Sequence, residues 1–200
     1  MMPSPEPTLD AALSTRDRIV RAGLHLFQLR GYHGAGLNEI LALAGAPKGV
    51  FYHHFVGGKE ALAVATVEWL AAEVSAYLDG LLAKGGGAGV MVMGLAGRTS
   101  RGARRPDRLR GSLLAVLAQD TLPESAPVQA ALEAWVNAMR ERLATARHAE
   151  GVEPEAAAEF ADEALAILQG ATVLARIHGD PARLEHTVRR WLARQGSEVA

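Results

Sequence analysis

The sequence predicts an all-α fold of about nine helices: three short N-terminal helices forming a helix-turn-helix, joined by a long helix to a helical C-terminal domain. Three observations carry this. Alanine, leucine and glutamate dominate outside the glycine runs, while the aromatic share is only 5%. Apolar residues recur at helical spacing along most of the chain, and no segment alternates strictly as a half-buried strand would. Glycine and proline punctuate that periodicity at intervals suited to short helices.

Each element follows from its own residues. Ser14-x-x-Asp17 has the form of a capping box, with Asp in place of Glu, directly before an apolar run. Ile19, Gly23, Leu26 and Phe27 then line one face of a helix that should end near Gly31. A short helix over Leu37–Ala44 turns Leu37, Ile40, Leu41 and Ala44 inward, and Gly45-Ala46-Pro47 breaks it. The third helix, Lys48–Phe55, places Phe51 and Phe55 on one side. Gly57-Gly58 forces a turn before a long helix from Lys59 towards Lys84.

Beyond the break at Gly85-Gly86-Gly87, helices are expected over about Val90–Arg101 and Ser112–Thr121, with an arginine-rich link between them. Leu122-Pro123 closes the second of these, and a clearer helix spans about Pro127–His148. From Glu155 to His178, Ala157, Ala161, Ala164, Leu168, Ala171 and Ala175 repeat in steps of four and three, a seam of small residues. Asp180-Pro181 starts a last helix, with Leu184, Val188, Trp191 and Leu192 on its apolar face.

The expected domains are a disordered arm over 1–14, a helix-turn-helix over 15–62, and a helical C-terminal domain over 63–200. The first fourteen residues hold three prolines and no Lys or Arg, unlike a secretory signal. The weakly polar stretch Ala88–Gly97 is too short to span a bilayer, so the expectation is a cytoplasmic protein with no membrane partner. Cys 0 excludes disulfides, cysteine-ligated metal and a thiol nucleophile. Lys+Arg 21 against Asp+Glu 22 leaves a net charge of -1, so no global basic excess advertises nucleic acid.

In a helix-turn-helix the second helix braces the third, which enters the major groove. Ala44 and Gly45 suit the passage between them, where a Cβ would crowd the turn. With Phe51 and Phe55 inward, Lys48, Gly49, Val50, Tyr52, His53 and His54 form the outward set. Gly49 lets the backbone approach DNA, Lys48 and Lys59 neutralise phosphate, and Tyr52 donates a hydroxyl.

The run from Gly36 to Phe55, GLNEILALAGAPKGVFYHHF, followed by Gly-Gly-Lys59-Glu60-Ala-Leu62, resembles the TetR family of bacterial transcriptional regulators. That family's signature reads roughly Ile-Ala-x-x-Ala-Gly-Val-Ser-x-Gly-x-Leu-Tyr-x-His/Tyr-Phe, then Lys-Glu-x-Leu. The resemblance is dense from Arg16 to Leu62. Two departures stand out: Leu41 replaces a small alanine, and Gly57-Gly58 makes the spacer before Lys59 one residue longer. The longer spacer is similar to that of a multidrug-type repressor subgroup.

The resemblance implies a homodimer that binds a pseudo-palindromic double-stranded operator and releases it when a small-molecule effector enters the C-terminal domain. It makes Lys48, Gly49, Val50, Tyr52, His53 and His54 the operator-reading set and Lys59 a phosphate contact at a helix N-terminus. Val50 stands where threonine is usual, which would trade a hydroxyl contact for a thymine methyl. Effector coupling of about 1–3 kcal/mol would weaken DNA binding roughly 5–150-fold.

For the effector pocket, Trp69, Tyr77, Met91, Met93, Gln119, Trp135, Met139 and Phe160 are the expected lining, apolar with few polar anchors. The dimer face is expected along Ala161, Ala164, Leu168, Ala171, Ala175, Leu184, Val188 and Trp191, with ordinary intrachain packing as the alternative. No cofactor motif is present, and no metal site is expected: His53 and His54 diverge around a helix and lack a third ligand. His25, His33 and His178 read as surface or satisfied structural histidines. Arg98, Arg101, Arg104, Arg105, Arg108 and Arg110 read as a solvated link. An enzyme using a His with Glu159, Asp162 or Glu163 finds no supporting constellation. A TetR-like scaffold that binds ligand or protein but not DNA is the alternative function.

Overall fold

A computed structural model describes residues 13–103 and 110–196. Among them are nine helices and no strand: α1 (Thr15–Gly34), α2 (Leu37–Ala44), α3 (Lys48–His54), α4 (Gly58–Leu82), α5 (Ala88–Ala103), α6 (Leu113–Thr121), α7 (Ala126–Ala149), α8 (Pro154–His178) and α9 (Ala182–Arg194). The expected arm falls almost wholly outside the described residues, as do Arg104, Arg105 and Arg108 of the arginine-rich link.

Local chemistry sets the ends of these helices. Ser14 Oγ accepts from the Asp17 N–H at 3.1 Å and donates to the Asp17 carboxylate at 2.7 Å, so the shorter acid closes the cap through the hydroxyl. At the far end, α1 does not stop at Gly31. It kinks there, at φ 81°, ψ 169°, and continues one turn to Gly34. α2 ends at Gly45 in the left-handed region, φ 60°, ψ 40°. A Cβ at Gly45 would meet nothing within 4 Å. Backbone conformation, rather than the expected crowding, is therefore what requires glycine there. The Asp180 carboxylate accepts from the Ala182 N–H at 3.0 Å, starting α9 one residue later than the proline alone suggests.

Two compact units result, one comprising Met1–Leu70 with Leu113–Leu132 and the other Ala71–Ser112 with Glu133–Ala200. The N-terminal unit is thus larger than the expected 15–62. It claims α6, whose buried Leu113, Leu117 and Thr121 belong to an element packed along α1. Its core is formed by Ile19, Val20, Phe27, Ile40, Phe51 and Leu62, all fully buried. Arg18 ties the start of α1 to the end of α2 by donating to the Ala44 carbonyl at 3.0 Å.

In the second unit, α9 packs on α5 and α8. The expected dimer seam lies here. Ala161, Ala164, Leu168, Ala171, Ala175, Leu184, Val188 and Trp191 are all buried within the single chain. The small residues let α8 approach its own neighbours closely. α4 is long and apolar enough to cross a membrane by length and composition. Its apolarity serves a protein core, because Leu62, Ala63, Val67, Val74 and Leu78 are buried while Glu68, Glu73 and Asp79 face solvent.

Candidate nucleic-acid interface

α3 owes its position to two aromatic rings. Phe51 and Phe55 are buried with ring centres 5.3 Å apart, and Arg16 of α1 lies 5.7 Å over the Phe55 ring. With that face fixed, the opposite one must project outward. Lys48, Gly49, Tyr52, His53 and His54 are exposed, and Val50 is half-buried. Tyr52, 48% exposed, meets Phe51 edge-on at 5.1 Å, which orients the phenol without covering it. The two histidine rings sit 5.3 Å apart at a steep 64°, as adjacent helical residues diverge. Among the described residues no group of three His, Asp or Glu could hold a metal ion.

Gly49 has open space where a Cβ would lie. Nothing in its own chain demands a glycine there. Next to it, Asn38, Leu41, Ala42, Gly45, Ala46, Pro47 and Lys48 line a shallow surface depression of about 470 Å³. Val56 was not singled out from the sequence, yet it is 89% exposed directly after the helix. The one signal for it is an apolar residue stranded before a Gly-Gly turn.

Lys59 goes elsewhere. Its ammonium lies 4.7 Å from the Tyr32 ring centre and 6.0 Å from that of Phe27, folded against α1 instead of out towards a phosphate. Burial pushes the Lys59 pKa down, and the Asp120 carboxylate partly offsets that shift. Burial, then the nearby Glu60 charge, pushes the Tyr32 phenol up. In the unbound chain the half-buried Lys59 ammonium is engaged by the rings of α1, with the Asp120 carboxylate of α6 nearby. Asp120 also accepts from the Tyr32 N–H at 2.7 Å, and its carbonyl pairs with His33 Nε2 at 2.7 Å. Ser125 Oγ donates to Glu60 at 2.6 Å and accepts from the Val128 N–H at 3.3 Å, capping α7.

The residues expected to line the effector pocket scatter. Trp69 and Gln119 belong to the first unit, where Trp69 lies under Arg21 at 5.1 Å and Gln119 faces solvent. The other six belong to the second unit. Met91, Trp135 and Met139 are buried, Met93 is half-buried, and Tyr77 lies beneath Arg98 at 5.4 Å. Phe160 is taken up in packing, between Trp191 at 5.0 Å and the Arg147 guanidinium at 4.9 Å. Solvent-facing Gln119 and stacked Phe160 are thus removed from the expected lining. The Trp135 indole N–H is buried and has no hydrogen-bond acceptor.

Residues 19–66 match the profile of bacterial regulatory proteins of the tetR family, and residues 91–190 match the C-terminal domain of LmrA/YxaF-like transcriptional regulators. The HTH-type transcriptional regulator LmrA of Bacillus subtilis is 55% identical over 53 residues, 26% of this chain. That match spans only 28% of LmrA's own length. The transcriptional regulator AcuR of Cereibacter sphaeroides is 31% identical over 164 residues, 78% of this chain and 74% of that one. A TetR transcriptional regulator from Legionella pneumophila has the same fold, with TM-score 0.82 and 20% identity over 93% of this chain and 99% of that one. These relatives are transcriptional regulators, not enzymes. Two family profiles that together cover most of the chain, on a helix-turn-helix followed by further helices, place this protein in the TetR family of bacterial transcriptional regulators.

Proposed function

We propose that the protein is a ligand-responsive repressor that binds a pseudo-palindromic operator as a homodimer and releases it when a small apolar effector binds. The observation that carries this reading is the outward face of α3. Lys48, Gly49, Tyr52, His53 and His54 are exposed on a helix pinned from behind by Phe51 and Phe55. Lys48 and Tyr52 would meet phosphates, the two histidines and Val50 base edges, and Gly49 would allow close approach. Operator-bound recognition helices would lie about 34–36 Å apart, one DNA turn.

The seam of α8 is already buried within the single chain, so the proposed dimer face is the opposite one. Ala166, Gly170, Val173, Leu174 and Ile177 form an exposed stripe on α8 at spacings of four, three, one and three, with Ile177 71% exposed. An apolar stripe of this length on a helix suits burial against a twofold-related copy. For the effector, the unpartnered indole N–H of Trp135, near the buried thioether of Met139 one helical turn on, favours an apolar molecule carrying a hydrogen-bond acceptor.

Selection of bound sequences from random duplex DNA, with Tyr52→Ala as control, tests the reading. Enrichment of a pseudo-palindrome by the wild type and its loss in the control is the expected result. No enrichment at low salt would favour the alternative, a TetR-like scaffold that binds ligand or protein but not DNA. The inward-turned Lys59 is the observation on that side.

A further inference from the structure

Two residues at the α6–α7 corner reach the same turn of α4. Asp120, at the end of α6, bonds the Tyr32 N–H at 2.7 Å, and the Tyr32 ring carries the Lys59 ammonium at 4.7 Å. Ser125, at the start of α7, bonds Glu60 at 2.6 Å. Lys59 and Glu60 are consecutive and lie in the first turn of α4, directly after the recognition helix and its Gly57-Gly58 link.

The α1 end of this connection is shaped for a carboxylate. Gly31 adopts φ 81°, ψ 169°, a region essentially closed to residues with a side chain. A Cβ there would stand 2.7 Å from Asp120 Oδ2. The carboxylate is thus seated against the bare backbone of the kink, where it supplies an acceptor for the N–H that follows the break. His33, one residue on, bonds the Asp120 carbonyl at 2.7 Å, so side chain and main chain of one α6 residue hold two successive residues of α1.

We infer that Asp120 is a positioning residue for operator binding: by holding Tyr32 at the kink of α1, it fixes the platform on which Lys59 and the first turn of α4 rest, and thereby the aim of α3. This rests on the operator-binding reading above. A displacement of α6 would pull the kink, the Tyr32 ring and the start of α4 together. The recognition helix is then coupled through α1 and α4 to residues far along the chain.

The test compares the full-length wild type with Asp120→Ala, Asp120→Asn and Tyr32→Leu, by amide hydrogen exchange of the free proteins and by affinity for the selected operator. In Asp120→Ala, exchange over residues 31–34 and 57–62 should rise by about tenfold and operator affinity fall by about tenfold. Asp120→Asn should restore both, because its amide oxygen can accept from the same N–H. Tyr32→Leu keeps the backbone bond but removes the ring, so exchange should rise over 57–62 and not over 31–34.

Exchange and affinity of Asp120→Ala within about twofold of wild type would overturn the inference. So would an Asp120→Asn protein as impaired as Asp120→Ala. Should Asp120→Ala fail to fold, an unchanged 57–62 segment in Tyr32→Leu overturns it alone. A wild type that selects no operator would sink the repressor reading, while the exchange arm, which needs no DNA, would still decide the tether.

Discussion

The Lys59 ammonium rests 4.7 Å from the centre of the Tyr32 ring, held within one compact unit by a residue pair from the first and fourth helices. A cation so placed is engaged by its own protein before DNA arrives. Lys48, in contrast, is exposed at the start of α3. Substituting Lys48 by Met should reduce the salt slope of operator binding by about 0.9 per protomer, the value for one phosphate contact. Lys59→Met should leave the slope unchanged and lower thermal stability instead. A slope that falls equally for both would show that Lys59 swings out to DNA.

Tyr32 offers a spectroscopic check on the same cluster. Its phenol, pushed up by burial and by Glu60, should titrate above the ordinary value of about 10 in ultraviolet difference spectra against Tyr32→Phe. Since the folded pKa lies above the unfolded one, the stabilisation is complete below pH 10 and is lost as pH rises through the folded value. The unfolding midpoint of the wild type should therefore fall relative to that of Tyr32→Phe as pH rises above 10. Parallel pH profiles would contradict the assignment.

Gly31 and Gly45 both adopt positive φ, but for different neighbours. Alanine at Gly45 meets only backbone strain, whereas alanine at Gly31 also collides with Asp120. Each replacement should destabilise the fold by about 1–3 kcal/mol, with Gly31→Ala the worse of the pair. Chemical denaturation of the two variants gives the order directly.

The two faces of α8 predict opposite phenotypes. Ile177→Glu, on the exposed stripe, should give a folded monomer with unchanged circular dichroism and no cooperative operator binding. Ala171→Leu, in the buried seam, should cost about 1–3 kcal/mol of stability through overpacking. Sedimentation velocity separates them, and a dimeric Ile177→Glu would move the interface elsewhere.

Much of this was legible in the sequence, for local reasons. Gly36 and Gly45 bracket α2, and its limits fall where they were expected. Ser14 and Asp17 announce the start of α1 in the same way, and the outward set on α3 follows once Phe51 and Phe55 are assigned to the core. What escaped was decided at long range. Lys59 lies over Tyr32, a residue of a different helix whose N–H is held by Asp120 of a third, and no local pattern links the three.

The alanine seam is ambiguous in sequence because small residues at helical spacing look the same whether the partner helix is in the same chain or another; here they are buried within the chain. A second periodicity on the same helix, Val173, Leu174 and Ile177, marks the apolar residues that the chain leaves exposed. The compact unit that contains the helix-turn-helix extends beyond residue 62 for a related reason. Contiguity in sequence is not contiguity in space, and α6 returns to pack along α1.

The empty space around Gly49 bears on how such a regulator changes its target over evolutionary time. A position that no intrachain contact constrains can accept new side chains without a folding penalty to be compensated elsewhere. Duplicated copies of the gene would then diverge in operator preference at constant stability, while the residues behind α3, Phe51 and Phe55, stay under purifying selection. On the proposed reading of α3, target choice and scaffold maintenance would then fall to separate sets of codons within a single short helix and its cap.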